Sequence, residues 1–439
     1  MSTNINMDAF WMPFTANRDF KNQPRIIERA EGVMYYTNEG QEILDATAGL
    51  WCVNAGHGRT EIADAVSQQL RHLDYASPFN FGHEIGFEFA NRLIKHTPAG
   101  LNKVFFANSG SEAVESALKI ALQYQKSRGK GGKTKLFGRE MAYHGVNFGG
   151  ISVGGLTYNR NGFGPLLPVD HLPHTLDIAN NAFSKGLPEQ GIDKAEALEQ
   201  LIHFHGADSI AAVIIEPMSG AGGVIMPPQG YLKRMREICT QYDILLIFDE
   251  VITGWGRLGS AFASEEFDVI PDMITSAKGI TNGVIPLGAV FVKDEIHDQI
   301  VNNVAVGGIE FYHGYTYSAH PVACAAGLAT LDIYEKEGLL TRASGEIGKY
   351  FEHKLHSLND APKVIDVRNY GLVGALQFDP SVAANGPVGL DFQKGCYKRG
   401  VMVRTMGNIV AFSPPLTIEA NHIDRLVGVL RETAEDMFG

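Results

Sequence analysis

Between residues 103 and 290 the chain repeats one pattern, a short apolar run followed by a helical stretch. "KVFFAN" precedes "SGSEAVESALKIALQYQ", "IAAVIIEP" comes before "YLKRMREICTQYD", that helix leads into "ILLIFDE", and "PDMITSAKG" and "PLGAVFV" follow. Short apolar runs without polar alternation suit strands covered on both faces, and helices between them supply the crossovers that a parallel sheet needs. The pattern therefore predicts an α/β fold built on a large, mostly parallel sheet. After "SAHP", the stretch "VACAAGLATLDIYEKEG" reads as one long helix, with Pro321 near its start and Gly338 just past its end. "KVIDVRNYGLVGALQFD" and "VMVRTMGNIVAFSPP" read as strands, the second with a hairpin turn at Gly407-Asn408. These elements predict a large α/β domain at residues 61–318, with the N-terminal segment 1–60 and residues 319–439 forming a smaller α+β part.

Composition removes several classes of function. The 439 residues are 45% hydrophobic and 20% charged, as in ordinary globular chains, which argues against both disorder and a membrane protein. A net charge of −12 offers no basic footprint for nucleic acid or anionic lipid, and the densest basic stretch is the short "KSRGKGGKTK". "MSTNINMDAFWMPF" lacks the basic and apolar regions of a secretory leader, and no 18-residue apolar run occurs, so a cytoplasmic location is expected. Cys52, Cys239, Cys324 and Cys396 are far apart and form no CxxC, which suits reduced, mostly buried thiols. The pairs His203/His205 and His171/His174 come without nearby Cys or acidic ligands and read as structural, so no metal site is expected.

The acid pair in "ILLIFDEVITGWGRLG" poses the functional question, and three chemistries compete for it. A magnesium-holding strand needs a phosphate loop, and "SRGKGGKT" nearly supplies one, but Ser127 stands where the first glycine is required and a helix precedes it, so the stretch reads as a solvated basic loop. A dinucleotide fingerprint needs glycines at the strand end opening a helix. Gly254, Gly256 and Gly259 lie several residues past Asp249 and read as a bend beside a site. The third possibility is a different cofactor facing Asp249.

"ANSGSEAVESALKIA" places small residues between a strand and a helix, so the free N–H groups of Gly110 and Ser111 could receive a phosphate at the positive end of the helix dipole, though an ordinary N-cap explains the same letters. Lys278 in "MITSAKGITNG" lies 29 residues after Asp249, again at the end of an apolar stretch, among the small residues Ser276, Ala277 and Gly279. A confined lysine loses its proton readily enough to attack an aldehyde. A phosphate cradle, an Asp and a Lys together match pyridoxal 5'-phosphate, with Asp249 keeping the ring nitrogen protonated and Lys278 taking the aldehyde carbon. Glu250 is left to pack or orient the strand end.

At this point "IFDEVITGWGRLG", "AKGITNG", "NSGSEA", "YHGVN" and "HGYTYSAHPVACAAG" are similar to the class III aminotransferases of fold type I. From "WMPFTANRDF" through "DHLPHT" and "NAFSKGLPE" to "NYGLVGA", the chain resembles the branch that moves amino groups from omega-amino acids such as beta-alanine to pyruvate. The resemblance implies that Ser109, Gly110 and Ser111 hold the cofactor phosphate, Tyr143 stacks on the ring beside His144, Glu216 lies near the ring hydroxyl and Val251 packs beneath it. It implies a homodimer or a dimer of dimers with shared active sites, in which Thr316 reaches the phosphate of the neighbouring subunit. Trp51, Phe79 and Tyr143 would line the substrate pocket, and Arg404 would receive the substrate carboxylate.

Relatives that use 2-oxoglutarate resemble "EPxxGEGG", whereas this chain has "EPMSGAGG", so Ala221 stands where a glutamate would pair with the substrate arginine. That departure favours pyruvate as acceptor. From alternation alone, Arg404 shares a face with Met402 and Met406, and an edge-strand arginine with its head in water fits as well. The rival functions are a decarboxylase or racemase on the same fold, a P-loop ATPase, and a non-catalytic protein that binds the cofactor.

Overall fold

The computed structural model describes residues 6–383 and 388–439. Near the N-terminus, β1 (Ile27–Glu31), β2 (Met34–Thr37) and β3 (Glu42–Asp45) form an antiparallel meander. The central sheet follows, from β4 (Lys103–Ala107), β5 (Lys135–Arg139), β6 (Val169–Leu172), β7 (Ile210–Ile215), β8 (Leu245–Asp249), β9 (Met273–Ser276) and β10 (Gly288–Val292). Its order is β4-β10-β9-β8-β7-β5-β6. The five strands from β9 to β6 in that order run parallel, while β10 is antiparallel to both β4 and β9. Every residue of β7, β8 and β9 is buried, which is the arrangement that their uninterrupted apolar runs require.

The remaining strands are β11 (Val364–Tyr370), β12 (Val373–Phe378), β13 (Val401–Met402), β14 (Arg404–Met406) and β15 (Ile409–Phe412). Four of them make a second small sheet, β11-β12-β15-β14, whereas β13 leaves it to pair in parallel with β3. The hairpin turn at Gly407-Asn408 joins β14 to β15, with Gly407 in the left-handed region at φ 60°. The predicted long helix is Pro321–Lys336: Pro321 opens it, the His320 side chain accepts from the Val322 N–H, and Gly338 follows its end at φ 64°. Among the described residues no helix is long and apolar enough to cross a membrane, and all four cysteines are free.

Two local expectations need correction. The basic loop is not simply solvated. Arg128 and Lys130 pair with Asp243, and Lys133, only 2% exposed, donates to the Asp243 carbonyl oxygen at 2.6 Å. Asp243 sits in a left-handed turn just before β8, so these cations tie the end of one helix to the start of the strand that carries Asp249. The face shared by Met402, Arg404 and Met406 is also broken. Met402 lies in a different sheet and lines a separate cavity with Phe20 and Tyr397, because the chain changes partners at Val403.

Candidate active site

Parallel strands with crossover helices leave a crevice outside their carboxyl ends. Here that place is a cavity of about 510 Å³ at the ends of β5, β7, β8 and β9. Ser109, Gly110, Ser111, Tyr143, His144, Glu216, Ala221, Asp249, Val251, Lys278, Trp51 and Arg404 all line it.

Asp249 ends β8 and is 5% exposed. Its Oδ1 accepts from the Thr275 hydroxyl at 3.0 Å and the Val251 N–H at 3.2 Å, and its Oδ2 lies 2.7 Å from His144 Nδ1. Three contacts thus fix the carboxylate's direction. His144 is itself buried, and its Nε2 has no hydrogen-bond partner among the described residues. Glu216 follows β7 and accepts from the N–H groups of Tyr143 at 3.0 Å and Gly220 at 2.9 Å. Burial raises its pKa, and the nearby charge of Asp249 adds to the rise.

Glu250 faces away from the cavity. Fully buried, it accepts from the N–H groups of Ala263 at 2.5 Å and Ser264 at 2.9 Å and from the Thr253 hydroxyl at 3.0 Å. Burial pushes its pKa up to about 7. It therefore fastens the stretch containing Gly254, Gly256 and Gly259, a series of turns that opens no helix in dinucleotide fashion.

Lys278 lies two residues beyond β9 with a left-handed backbone at φ 51°. Its amine makes no hydrogen bond or ion pair within the described residues, and burial lowers its pKa. A lysine held this way is a nucleophile in waiting.

The helix Gly110–Ser127 begins against the same cavity. Ser109 caps it by accepting from the Glu112 N–H at 3.2 Å, and the Glu112 carboxylate takes the Asn108 N–H at 2.7 Å. Ser109 is thus a cap, and the N–H groups of Gly110 and Ser111, which find no acceptor among the described residues, stay open to a phosphate. A Cβ at Gly110 would come within 3.0 Å of the Val251 side chain, so glycine keeps that approach open.

Arg404 stands on the sheet edge, as its alternation allowed, but its head faces the cavity. Among the described residues it has no carboxylate partner, and burial lowers its pKa against the opposing influence of Tyr158 and Tyr143. Ala221 lines the same space and offers no counter-charge. Trp51 is both core and wall, only 4% exposed yet on the cavity surface.

Residues 15–433 match the model of the family described as "Aminotransferase class-III". The chain is 53% identical to an omega-aminotransferase of Caulobacter vibrioides, with 97% of each chain covered. It is 47% identical to a beta-alanine–pyruvate aminotransferase of Pseudomonas aeruginosa, covering 98% of this chain and 96% of the other. Among solved structures, an (S)-enantioselective omega-transaminase from Thermomicrobium roseum superposes with a TM-score of 0.90 at 35% identity, covering 98% and 96% of the two chains.

The chain belongs to the class-III aminotransferases.

Class-III aminotransferases of this fold depend on pyridoxal 5'-phosphate, and the donor set fits that group. Two unpaired amides at a helix start suit a phosphate, a fixed buried carboxylate suits a ring nitrogen, and a partnerless amine suits an aldehyde. The orphaned His144 Nε2 and the open approach at Gly110 lie in the same space.

Two residues predicted for the site are not on this cavity. Phe79, in an irregular stretch, is 52% exposed and packs toward Gly314. Thr316 is exposed beside it, its carbonyl accepting from the Tyr75 hydroxyl at 2.8 Å. Conversely, Phe14, Leu50, Tyr158, Asn159 and Ile252 line the cavity without having been singled out. Phe14 sits in the quoted "WMPFTANRDF", but nothing in that stretch shows that the chain's start folds back onto strand ends far along the sequence.

Proposed function

We propose that this class-III aminotransferase moves an amino group from an omega-amino acid such as beta-alanine, or a related amine, to pyruvate, yielding alanine. The observation that carries the acceptor choice is Arg404, which lines the cavity with no carboxylate partner among the described residues, together with Ala221 on the same cavity wall. A monocarboxylate such as pyruvate supplies one negative group, which one free arginine can take by charge-assisted hydrogen bonds.

When bound, pyridoxal phosphate supplies an electron sink for the bonds at the amino-bearing carbon. The chain's own part is to hold and to move protons. Gly110, Ser111 and the Ser109 and Ser111 side chains would receive the phosphate, Asp249 would keep the ring nitrogen protonated, and Tyr143 and Val251 would bracket the ring. Glu216, whose pKa burial raises, would lie near the ring hydroxyl. Lys278, with its lowered proton affinity, would carry the proton between substrate carbon and cofactor as general acid and base. Pyruvate reverses the sequence.

The reading includes a homodimer. Phe81, Phe87, Tyr312 and Tyr317 are exposed to between 59% and 86%, in the same two stretches as Phe79 and Thr316, and apolar surface of this kind marks an interface. Thr316 would then reach the phosphate held by the partner. The division at residues 60 and 318 and a cytoplasmic location belong to the same reading.

The test is amino transfer from beta-alanine with pyruvate or 2-oxoglutarate as acceptor, with sedimentation to count subunits. Alanine formation well above glutamate formation supports it. A preference for 2-oxoglutarate overturns the acceptor assignment, and a monomer with full activity overturns the shared site.

A further inference from the structure

Asp45 closes β3 and has no solvent exposure. Its Oδ1 accepts from the Thr47 N–H at 2.9 Å and the Thr47 hydroxyl at 2.8 Å. Its Oδ2 accepts from the Gly49 N–H at 2.6 Å and lies 2.8 Å from His57 Nε2. None of these groups belongs to the amino-transfer machinery described above.

What they hold is a turn with an uncommon backbone. Ala48, Gly49 and Trp51 have φ of 46°, 68° and 65°, and a bulky residue keeps such a conformation only where its surroundings over-determine it. The outcome of the turn is that Leu50 and Trp51 reach the cavity. Gly49 takes φ 68°, where an L side chain is strained, and a Cβ there would also crowd the Tyr35 hydroxyl at 3.2 Å. The same segment is sewn to the strands around Arg404: Ala46 N–H donates to Met402 O at 3.1 Å, and Ser413 N–H donates to Ala46 O at 2.8 Å.

We propose that Asp45 is a positioning residue: by holding the turn through Thr47, Gly49 and His57 it sets the place of Trp51, and with it the size of donor side group that the cavity admits. The carboxylate is suited to this because both oxygens accept, one on each arm of the turn. An asparagine keeps one acceptor and turns an NH₂ group toward a donor, so the turn loses a contact and gains a repulsion. Trp51 then withdraws and the wall opens. The effect on donors rests on the aminotransferase reading of the cavity, whereas the effect on the indole does not.

The experiment compares Asp45→Asn with the unaltered holoenzyme on two arylalkylamines that differ only in a methyl or a propyl group at the amino-bearing carbon. The ratio of kcat/KM for the propyl over the methyl donor should rise about fivefold, the equivalent of one ordinary hydrogen bond. In a Trp51→Gly background the same substitution should leave that ratio within about twofold, because the residue it acts through is gone. Independent additive effects overturn the proposal. A second readout is tryptophan emission, with the contribution of Trp51 isolated by subtracting the spectrum of the matching Trp51→Phe protein; it should shift to the red in Asp45→Asn. An unshifted spectrum overturns the positioning role whatever the enzyme turns over, while a shift in a protein that transfers no amino group would fault the functional reading alone. Should Asp45→Asn not fold, Thr47→Val removes one donor to the same carboxylate and should move the ratio and the emission in the same directions by less, and no movement in either overturns the proposal.

Discussion

Asp249 and Arg404 face one cavity from opposite kinds of support. Asp249 ends a central strand flanked on both sides by parallel neighbours, and its carboxylate is fixed by three contacts. Arg404 starts a three-residue strand at the edge of a small sheet, paired on one side only, and its guanidinium has no carboxylate partner among the described residues. Rigid support belongs where geometry is common to every turnover, and a lightly held charge belongs where different substrates must be met. On the proposed roles of the two residues, cofactor chemistry and substrate recognition would be carried by structurally separate layers.

The sharpest way to break that division is Lys278→Ala. It should lower kcat by at least about a thousandfold for every donor, since nucleophile and proton carrier are lost together. The cradle at Gly110 and Ser111 is untouched, so cofactor should still be found with the protein after gel filtration, read by its absorbance. Wild-type turnover in this variant would remove Lys278 from the chemistry.

Next in size is Asp249→Asn, for which a loss on the order of a hundredfold is expected because a neutral amide cannot hold the ring nitrogen protonated. If the floor is common to all substrates, steady-state kinetics should show the same factor for beta-alanine and for an arylalkylamine. Unequal factors would merge the two layers.

Arg404→Ala should separate them. Loss of charge-assisted hydrogen bonds worth about 1.5 to 3 kcal/mol lowers kcat/KM for acids by about ten- to 150-fold. An arylalkylamine has no carboxylate, so its half-reaction, followed by the cofactor's absorbance without pyruvate, should change little. Equal losses for both donors would make Arg404 a support of the fold.

The smallest effect is in pH. Burial lowers the Lys278 pKa from its usual 10.5, so the neutral amine is already abundant below that pH. The rate at which apoprotein takes up pyridoxal phosphate should rise with pH and level off below 10.5. A rise that continues beyond 10.5 would mean that the amine behaves as though in water.

The same division decided what the sequence could disclose. Asp249, Lys278 and the Ser109–Ser111 stretch each sit where an apolar run stops, so periodicity alone placed them at strand ends or a helix start. The wall could not be read that way. Trp51, Ala221 and Arg404 come from three distant stretches, and contacts such as the pairing of β13 with β3 and the bond of Ser413 to Ala46 bring the first near the last. For these residues the family resemblance did what spacing could not. Phe79 lies off this chain's own cavity, exposed against the backbone near Gly314, in the same stretch as the proposed subunit interface. Lys133 was misread because a basic loop looks the same on paper whether its ammonium is in water or closed over a carbonyl.

Asp249 and Glu250 also explain why the order of an acid pair carries meaning. The shorter acid meets the cavity while held by the Thr275 hydroxyl and the Val251 N–H, and the longer one extends across to the backbone of Ala263 and Ser264. Written in reverse, the pair would keep its charge and composition but crowd the ring site by one methylene and fall one methylene short of the covering loop. Two neighbouring carboxylates are thus cut to different lengths for different tasks, and the dipeptide has a reading direction.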